Sequence, residues 1–257
     1  MWNWLEKLQE CSAKNEPHVL ATIIEYSGSS PREQGAKMVV TKNSIYGSIG
    51  GGKLEQTVIE VARKSIHEKG IKKLRIPLGA MVGQCCGGVV EVVLETFGIQ
   101  SDLYIFGAGH VGQALVQTLV GTPFKIRLID FRKEWIHAPE IPKEIICLEE
   151  EADDALSDIE WNSEKTFIIV MTHDHALDQS IIEKVIDKPT KYIGLIGSQS
   201  KWKRFKSRIM TEFEVLGKNF TGLDKVHCPI GEDIGGKTPK EISISIAAEI
   251  LKKYYGK

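Results

Sequence analysis

The stretch LYIFGAGHVGQALVQTL, residues 103–119, constrains the fold more than any other. An apolar strand, Leu103 to Phe106, runs into Gly107-Ala108-Gly109-His110-Val111-Gly112, and helical spacing follows from Gln113 to Leu119. The next strand, Ile126 to Asp130, ends in an acid. A strand before GxGxxG, a helix after it and a carboxylate about 20 residues on is the dinucleotide-binding fingerprint in its required setting. Gly107 permits the tight turn, Gly109 lets backbone N–H groups approach a pyrophosphate, and Gly112 lets helix and strand pack closely. The helix N-terminus adds positive potential for phosphates. Asp130 is placed to bind ribose hydroxyls, which favours an unphosphorylated ribose, while Arg132 nearby counters that preference. The pattern specifies a Rossmann-like fold much more firmly than it specifies a bound dinucleotide.

The alternation continues downstream. Strands are expected at 144–148, 165–171 and 192–196, and helices at 152–158, 176–187 and from about 200 to 216, which implies a parallel sheet covered on both faces. The last helix has a written start: Thr238 as N-cap, Pro239 at the first helical position and Glu241 completing a capping box. Its Ile242, Ile246, Ile250 and Leu251 face a core. The first half reads differently. A helix near 1–14 is followed by strands at 19–24, 37–40 and 45–47, a helix from GSIGGGKLEQ to about His67, and strands near 72–77 and 89–95. The expected class is therefore α/β, a C-terminal Rossmann-like parallel sheet with helices on both faces plus a smaller N-terminal α+β domain. The boundary falls at Gly98-Ile99-Gln100, giving domains 1–99 and 100–257.

Charge and cysteine usage narrow the setting. A net charge of −1 gives no general pull toward nucleic acid or anionic membrane. No apolar run reaches the roughly 18 residues a membrane span needs, and the charged start MWNWLEKLQE does not read as a signal peptide. Five scattered cysteines, two of them adjacent, do not form a disulfide framework, so the expected location is the cytoplasm, with reduced thiols.

Three glycine-containing segments of the first half are candidates for chemistry. GSSPR, with Ser30 and Arg32, combines hydroxyls with a guanidinium suited to phosphate or a planar polar ligand. SIGGG, with Gly51, exposes bare backbone at a helix N-terminus, which suits an anion. Each alone reads as turn chemistry; three in one small domain point to a ligand site. GQCCGG puts Cys85 and Cys86 among glycines, where a packed apolar thiol is out of place and a thiolate or soft-metal ligand fits better. Zinc fits poorly, because no second cysteine or histidine pair lies nearby. In the second half, His173, Asp174 and His175 follow a strand at the edge where such sheets bind ligands. They could hold metal, move protons or cap the next helix, and His110 could meet them in space. KWKRFKSR, residues 201–208, is a solvated basic helix face before it is a nucleic-acid contact, although Lys201 or Arg204 could reach a bound phosphate.

With these motifs together, the chain closely resembles the XdhC/CoxI family of accessory proteins for molybdenum hydroxylases such as xanthine dehydrogenase. GSSPREQGAKMVV, GSIGGGKLE and CCGGVVEVVLE resemble the family's N-terminal domain. LYIFGAGHVGQAL, IDFR, MTHDHALD, IGLIGS and HCPIGEDIGGKTPKEISISIAAEIL resemble its Rossmann domain. The resemblance implies a maturation chaperone rather than the hydroxylase of purine catabolism itself. Such a protein binds molybdenum cofactor (molybdopterin), supports its sulfuration with a cysteine desulfurase, inserts it into the apo-hydroxylase and tends to be a homodimer. Cys86 matches the cysteine of the family's CGG motif and would hold or shield the molybdenum; Cys85 is an addition to that motif. The Rossmann domain, through Gly107, Gly109, His110, Gly112, Asp130, His173 and His175, would hold the pterin, its phosphate or a separate nucleotide.

The competing class is an NAD(P)-dependent oxidoreductase with the first half as substrate domain. Against it, no acid–base plan emerges beyond His173 and His175, and no iron–sulfur cysteine pattern is present. A ligand-sensing regulator would need an added effector domain, for which the sequence gives no support.

Overall fold

The structure is a computed structural model of the 257-residue chain and describes residues 3–14, 16–27, 32–66, 68, 70–78, 88–98, 100–215 and 222–256. The chain divides into two compact units, Met1–Ile99 and Gln100–Lys257.

The first unit contains α1 (Asn3–Ala13), β1 (His18–Ser27), β2 (Lys37–Thr41), β3 (Ile45–Gly47), α2 (Gly52–Ser65), β4 (Ile71–Pro77) and β5 (Val89–Phe97). Its sheet runs β3-β2-β1-β5-β4 with every pair antiparallel. Alternation sets the core face: Val90, Val92 and Leu94 of β5 are buried beside Val19, Ala21 and Ile23 of β1. Leu54, Val58 and Ala62, one helical turn apart on α2, close over them. β4 is an edge strand, and its exposed Lys72, Lys73 and Arg75 discourage pairing with another chain.

Register shows where the loops of this sheet gather. Ser27 pairs with Val89, and Val89 with Pro77, so β1 and β4 end at the same edge of the sheet where β5 begins. Lys37, which opens β2, pairs with Thr22, and Gly47, which ends β3, pairs with Met38. The residues flanking GSSPR, SIGGG and GQCCGG therefore all sit at one end of the sheet.

The second unit alternates β6 (Ser101–Phe106), α3 (His110–Leu119), β7 (Phe124–Ile129), α4 (Lys133–Ile136), β8 (Ile146–Leu148), α5 (Ala152–Ser157), β9 (Thr166–Val170), α6 (His175–Val185), β10 (Tyr192–Leu195), α7 (Gln199–Val215), β11 (Val226–His227) and α8 (Pro239–Tyr255). The sheet order is β8-β7-β6-β9-β10-β11, all parallel. The strands read as continuous apolar runs because both faces are covered. Leu103, Ile105, Phe167 and Ile169 point to the side of α3 and α8, and Tyr104, Phe106, Ile168 and Val170 to the side of α5, α6 and α7. The expected α/β class, with a Rossmann sheet in the second half and an antiparallel sheet in the first, is what the chain adopts. The Thr238–Glu241 capping box forms as read, each side chain bonding the other residue's N–H. Among the described residues no helix is long and apolar enough to cross a membrane.

The strand order switches sides between β6 and β9, and the crevice outside their C-terminal ends is where such sheets take ligands.

Candidate functional site

The C-terminal edge of the parallel sheet is built by the six strand exits. After β6 the chain turns at Gly107, whose φ of +117° and whose contact with the next exit both require glycine. A Cβ there would lie 2.4 Å from the carbonyl oxygen of Met171. Gly112, in the first turn of α3, is needed for a different reason, since its Cβ would lie 2.1 Å from the carbonyl oxygen of Gly107. Gly109 faces open space, with nothing within 4 Å of a Cβ, and its φ of −65° is ordinary. The roles read for Gly107 and Gly112 are thus packing roles, while Gly109 leaves bare backbone toward solvent.

Asp130, at the exit of β7, is only 7% exposed. Its Oδ2 accepts from the Ala108 N–H at 2.8 Å and from Arg132 Nη2 at 2.7 Å. Its Oδ1 accepts from Arg132 Nε at 2.9 Å and the Arg132 N–H at 3.0 Å. Burial opposes ionisation of this carboxyl, but the Arg132 side chain and the two N–H groups outweigh it and hold it below the usual range. Its contribution to stability is present at neutral pH and is lost as pH falls through that lowered value. The Arg132 guanidinium also lies 5.2 Å from the Trp135 ring, which His110 meets edge-on at 5.0 Å.

The exit of β9 carries Thr172-His173-Asp174-His175 and Asp178. Asp174 is the N-cap of α6, accepting from the Ala176 N–H at 2.8 Å. His173 is exposed, 5.9 Å from the Phe131 ring, and His175 is exposed with Nδ1 3.8 Å from Asp178 Oδ2. His110 meets Trp135, and no group of three or more metal-ligating side chains gathers among the described residues. Asp178 is fully buried, and its Oδ1 accepts from the Thr172 hydroxyl at 2.7 Å and N–H at 2.9 Å. Lys201, 4% exposed, donates to Asp178 Oδ2 at 2.6 Å and to the Ile196 carbonyl at 3.0 Å. Lys201 is therefore not part of a solvated basic face and does not reach outward; Lys203, Arg204 and Arg208 form that face. Gly197, at φ +149°, makes room for the Lys201 stem, whose Cδ would be 2.5 Å from a Cβ.

At the exit of β11, Cys228 lies with Sγ 3.8 Å from the Ser198 carbonyl oxygen. Burial pushes its thiol up to about 11; Lys201 pulls it down and Asp178 pushes it up. Behind this exit, Glu249 of α8 is buried, 3.1 Å from His227 Nδ1 and accepting from the Gly231 N–H at 2.5 Å, and Tyr192 stacks on His227 at 4.8 Å.

In the first unit the SIGGG loop meets an anion from its own chain. Glu55 Oε2 accepts from the Ser48 hydroxyl at 2.7 Å, the Gly51 N–H at 3.0 Å and the Ile49 N–H at 3.1 Å. Beside it opens a cleft of about 860 Å3 whose lining includes Asn3, Trp4, Arg32, Lys37 and Ser48. Lys37 Nζ donates to Thr22 Oγ1 at 2.9 Å and lies 5.9 Å from the Trp4 ring. Ser30, Cys85 and Cys86 lie outside the described residues.

Two outcomes test this edge. Lys201→Met leaves the buried Asp178 charge without its cation and should lower stability by about 3–5 kcal/mol, measured by urea unfolding. In a double-mutant cycle, Asp178→Asn with Lys201→Met should lose clearly less than the sum of the single changes; additivity would mean the two groups act separately. Cys228, held protonated, should alkylate with iodoacetamide at pH 8 on the order of a hundredfold slower than free cysteine, followed by peptide mass spectrometry.

Comparison with known proteins adds ancestry to this geometry. The XdhC Rossmann domain matches residues 103–250, and the XdhC and CoxI family matches residues 11–76. An uncharacterized protein of Escherichia coli, YqeB, is 31% identical over 253 residues, covering 96% of this chain and 44% of that protein. A probable xanthine dehydrogenase subunit of Bacillus subtilis is 29% identical over 150 residues, covering 58% of this chain and 42% of that one. The chain thus spans less than half the length of these curated relatives. A crystal structure of a xanthine dehydrogenase from Bacillus halodurans shares the fold at a TM-score of 0.54 and 21% identity, covering 99% of this chain and 96% of that one. The glycine turn and the family matches to both units lead to one assignment: the chain belongs to the XdhC/CoxI family.

Proposed function

We propose that this chain is an accessory protein of xanthine dehydrogenase or a related molybdenum hydroxylase, binding molybdenum cofactor in its first unit in the cytoplasm. The observation that carries the reading is convergence: the flanks of all three glycine-containing segments of that unit sit at one end of its sheet. Family membership and the name of the Bacillus subtilis relative supply the partner class. The cleft at Arg32, Lys37 and Asn3 carries cationic and neutral donors suited to the cofactor's phosphate, and Trp4 has a flat ring suited to a pterin. The donor set therefore fits the group.

Arg32 and Lys37 would hold the phosphate, with Ser30 contributing a hydroxyl from the adjoining segment. Cys86 would supply a soft thiolate to molybdenum, and Cys85 stands beside it in sequence. The cofactor, once in the hydroxylase, supplies the redox chemistry there; this chain's part is to retain it during sulfuration by a cysteine desulfurase and to hand it over. A homodimer is part of the same reading.

Anaerobic equilibrium binding of molybdenum cofactor tests it. The wild type should retain cofactor, and Cys86→Ser should weaken retention about tenfold or more with unchanged circular dichroism; equal retention removes the thiolate role. Purified alone, the chain should not oxidise xanthine, and turnover without a partner would overturn the accessory role.

A further inference from the structure

We infer that the second unit carries the dinucleotide fingerprint with its adenosine subsite closed by its own residues, Arg132 and Phe131. This stands on the second unit alone and does not depend on cofactor binding by the first. In a fingerprint of this kind the carboxylate after the second strand accepts from the ribose 2′- and 3′-hydroxyls. A carboxylate offers about four acceptor positions. Those of Asp130 meet four donors within 3.0 Å: the Ala108 N–H, the Arg132 N–H and the fork of Nε and Nη2 from Arg132. A diol would have to displace a bidentate, charge-assisted pair whose carboxylate is almost wholly withdrawn from water. The Ala108 N–H, one of the loop donors that could face a phosphate, is engaged by the same carboxylate.

The space next to Asp130 tells the same story. The crevice between the exits of β7 and β9, walled by Ile129, Phe131, Thr172, His173 and Leu177, holds about 20 Å3. That is room for about one water and far too little for a purine ring. Phe131 forms part of its wall while remaining 43% exposed, its ring 5.9 Å from that of His173. Two features, a saturated acceptor and a slot too narrow for a purine, thus reject the adenosine half of an NAD-like ligand, whatever the glycine loop binds. Arg132 and Phe131 are specificity-determining residues that act by exclusion.

NAD titration by calorimetry tests the inference on the full chain, with thermal melts to confirm that each variant is folded. The wild type should show no saturation up to millimolar NAD. Arg132→Ala frees Asp130, which keeps its two backbone donors, and Phe131→Ala opens the slot. The double variant should bind NAD at least about tenfold more tightly than wild type, the effect of one or two restored charge-assisted hydrogen bonds. Adding Asp130→Asn should abolish the gain, which separates Asp130 from Glu150, the other carboxylate lining the crevice. Saturable NAD binding by the wild type that Asp130→Asn weakens would overturn the inference. So would folded Arg132→Ala, Phe131→Ala and double variants that gain nothing. If Arg132→Ala melts below the assay temperature, Arg132→Met, which keeps an apolar stem but removes every side-chain donor, takes its place under the same two criteria.

Discussion

A carboxylate withdrawn from water must find donors, and two such groups, Asp178 and Asp130, together with the half-buried Glu55, shape loops of this chain. Asp178 is fully buried and reaches Thr172 and Lys201, and Lys201 also donates to the Ile196 carbonyl, so the exits of β9 and β10 and the first turn of α7 are tied by one ion pair. Asp130 ties the exit of β7 to the glycine turn after β6. Glu55 does the equivalent in the first unit, gathering the SIGGG backbone onto the start of α2. Parallel strands fix only where their exits begin; these carboxylates fix how the exits continue. The loops that a ligand would meet are therefore preorganised, and part of their donor capacity is committed before any ligand arrives.

The fold was legible because its signals are local and repeated. Strands buried on both faces have to be continuous apolar runs, and helices packed on one side need apolar residues at turns of 3.6 residues, so Leu103 to Phe106 and Leu54-Val58-Ala62 announce themselves. The capping box at Thr238 is legible for the same reason, since its chemistry lies within four residues. What escaped is short. β11 has two residues and α4 has four, below the length at which any period can be read.

The site was legible in position and less so in chemistry. GAGHVG marked the edge correctly, and Asp174 does the capping work that its place before α6 suggested. Lys201 was the clear misreading, yet the sequence held a signal for it. Lys201, Phe205 and Ile209 are spaced i, i+4, i+8 and are all buried, so the lysine is in phase with the apolar stripe of α7. Asp178 is likewise in phase with Ile181, Ile182 and Val185, and Glu249 with Ile246. A charge in phase with an apolar stripe needs an internal partner, and two of these, Asp178 and Lys201, are partners of each other. His227, which meets Glu249, had no such periodicity to reveal it, because its strand is too short.

The glycine fingerprint itself is partly a statement about packing. Gly107 is demanded by its left-handed backbone and by the Met171 carbonyl, and Gly112 by the Gly107 carbonyl; both would be required in a chain that binds nothing at this edge. Gly109 is different, because neither its φ nor any neighbour within 4 Å excludes a side chain. Of the three glycines it is therefore the one whose bareness the protein's own packing leaves unexplained, and the one whose backbone remains open to something outside the chain. With the adenosine side closed by Arg132 and Phe131, recognition at this edge falls to that bare loop rather than to the acid that the fingerprint names. Carried by a chain of this family, GxGxxG describes how β6 and α3 pack, and it says much less about what lies in front of them.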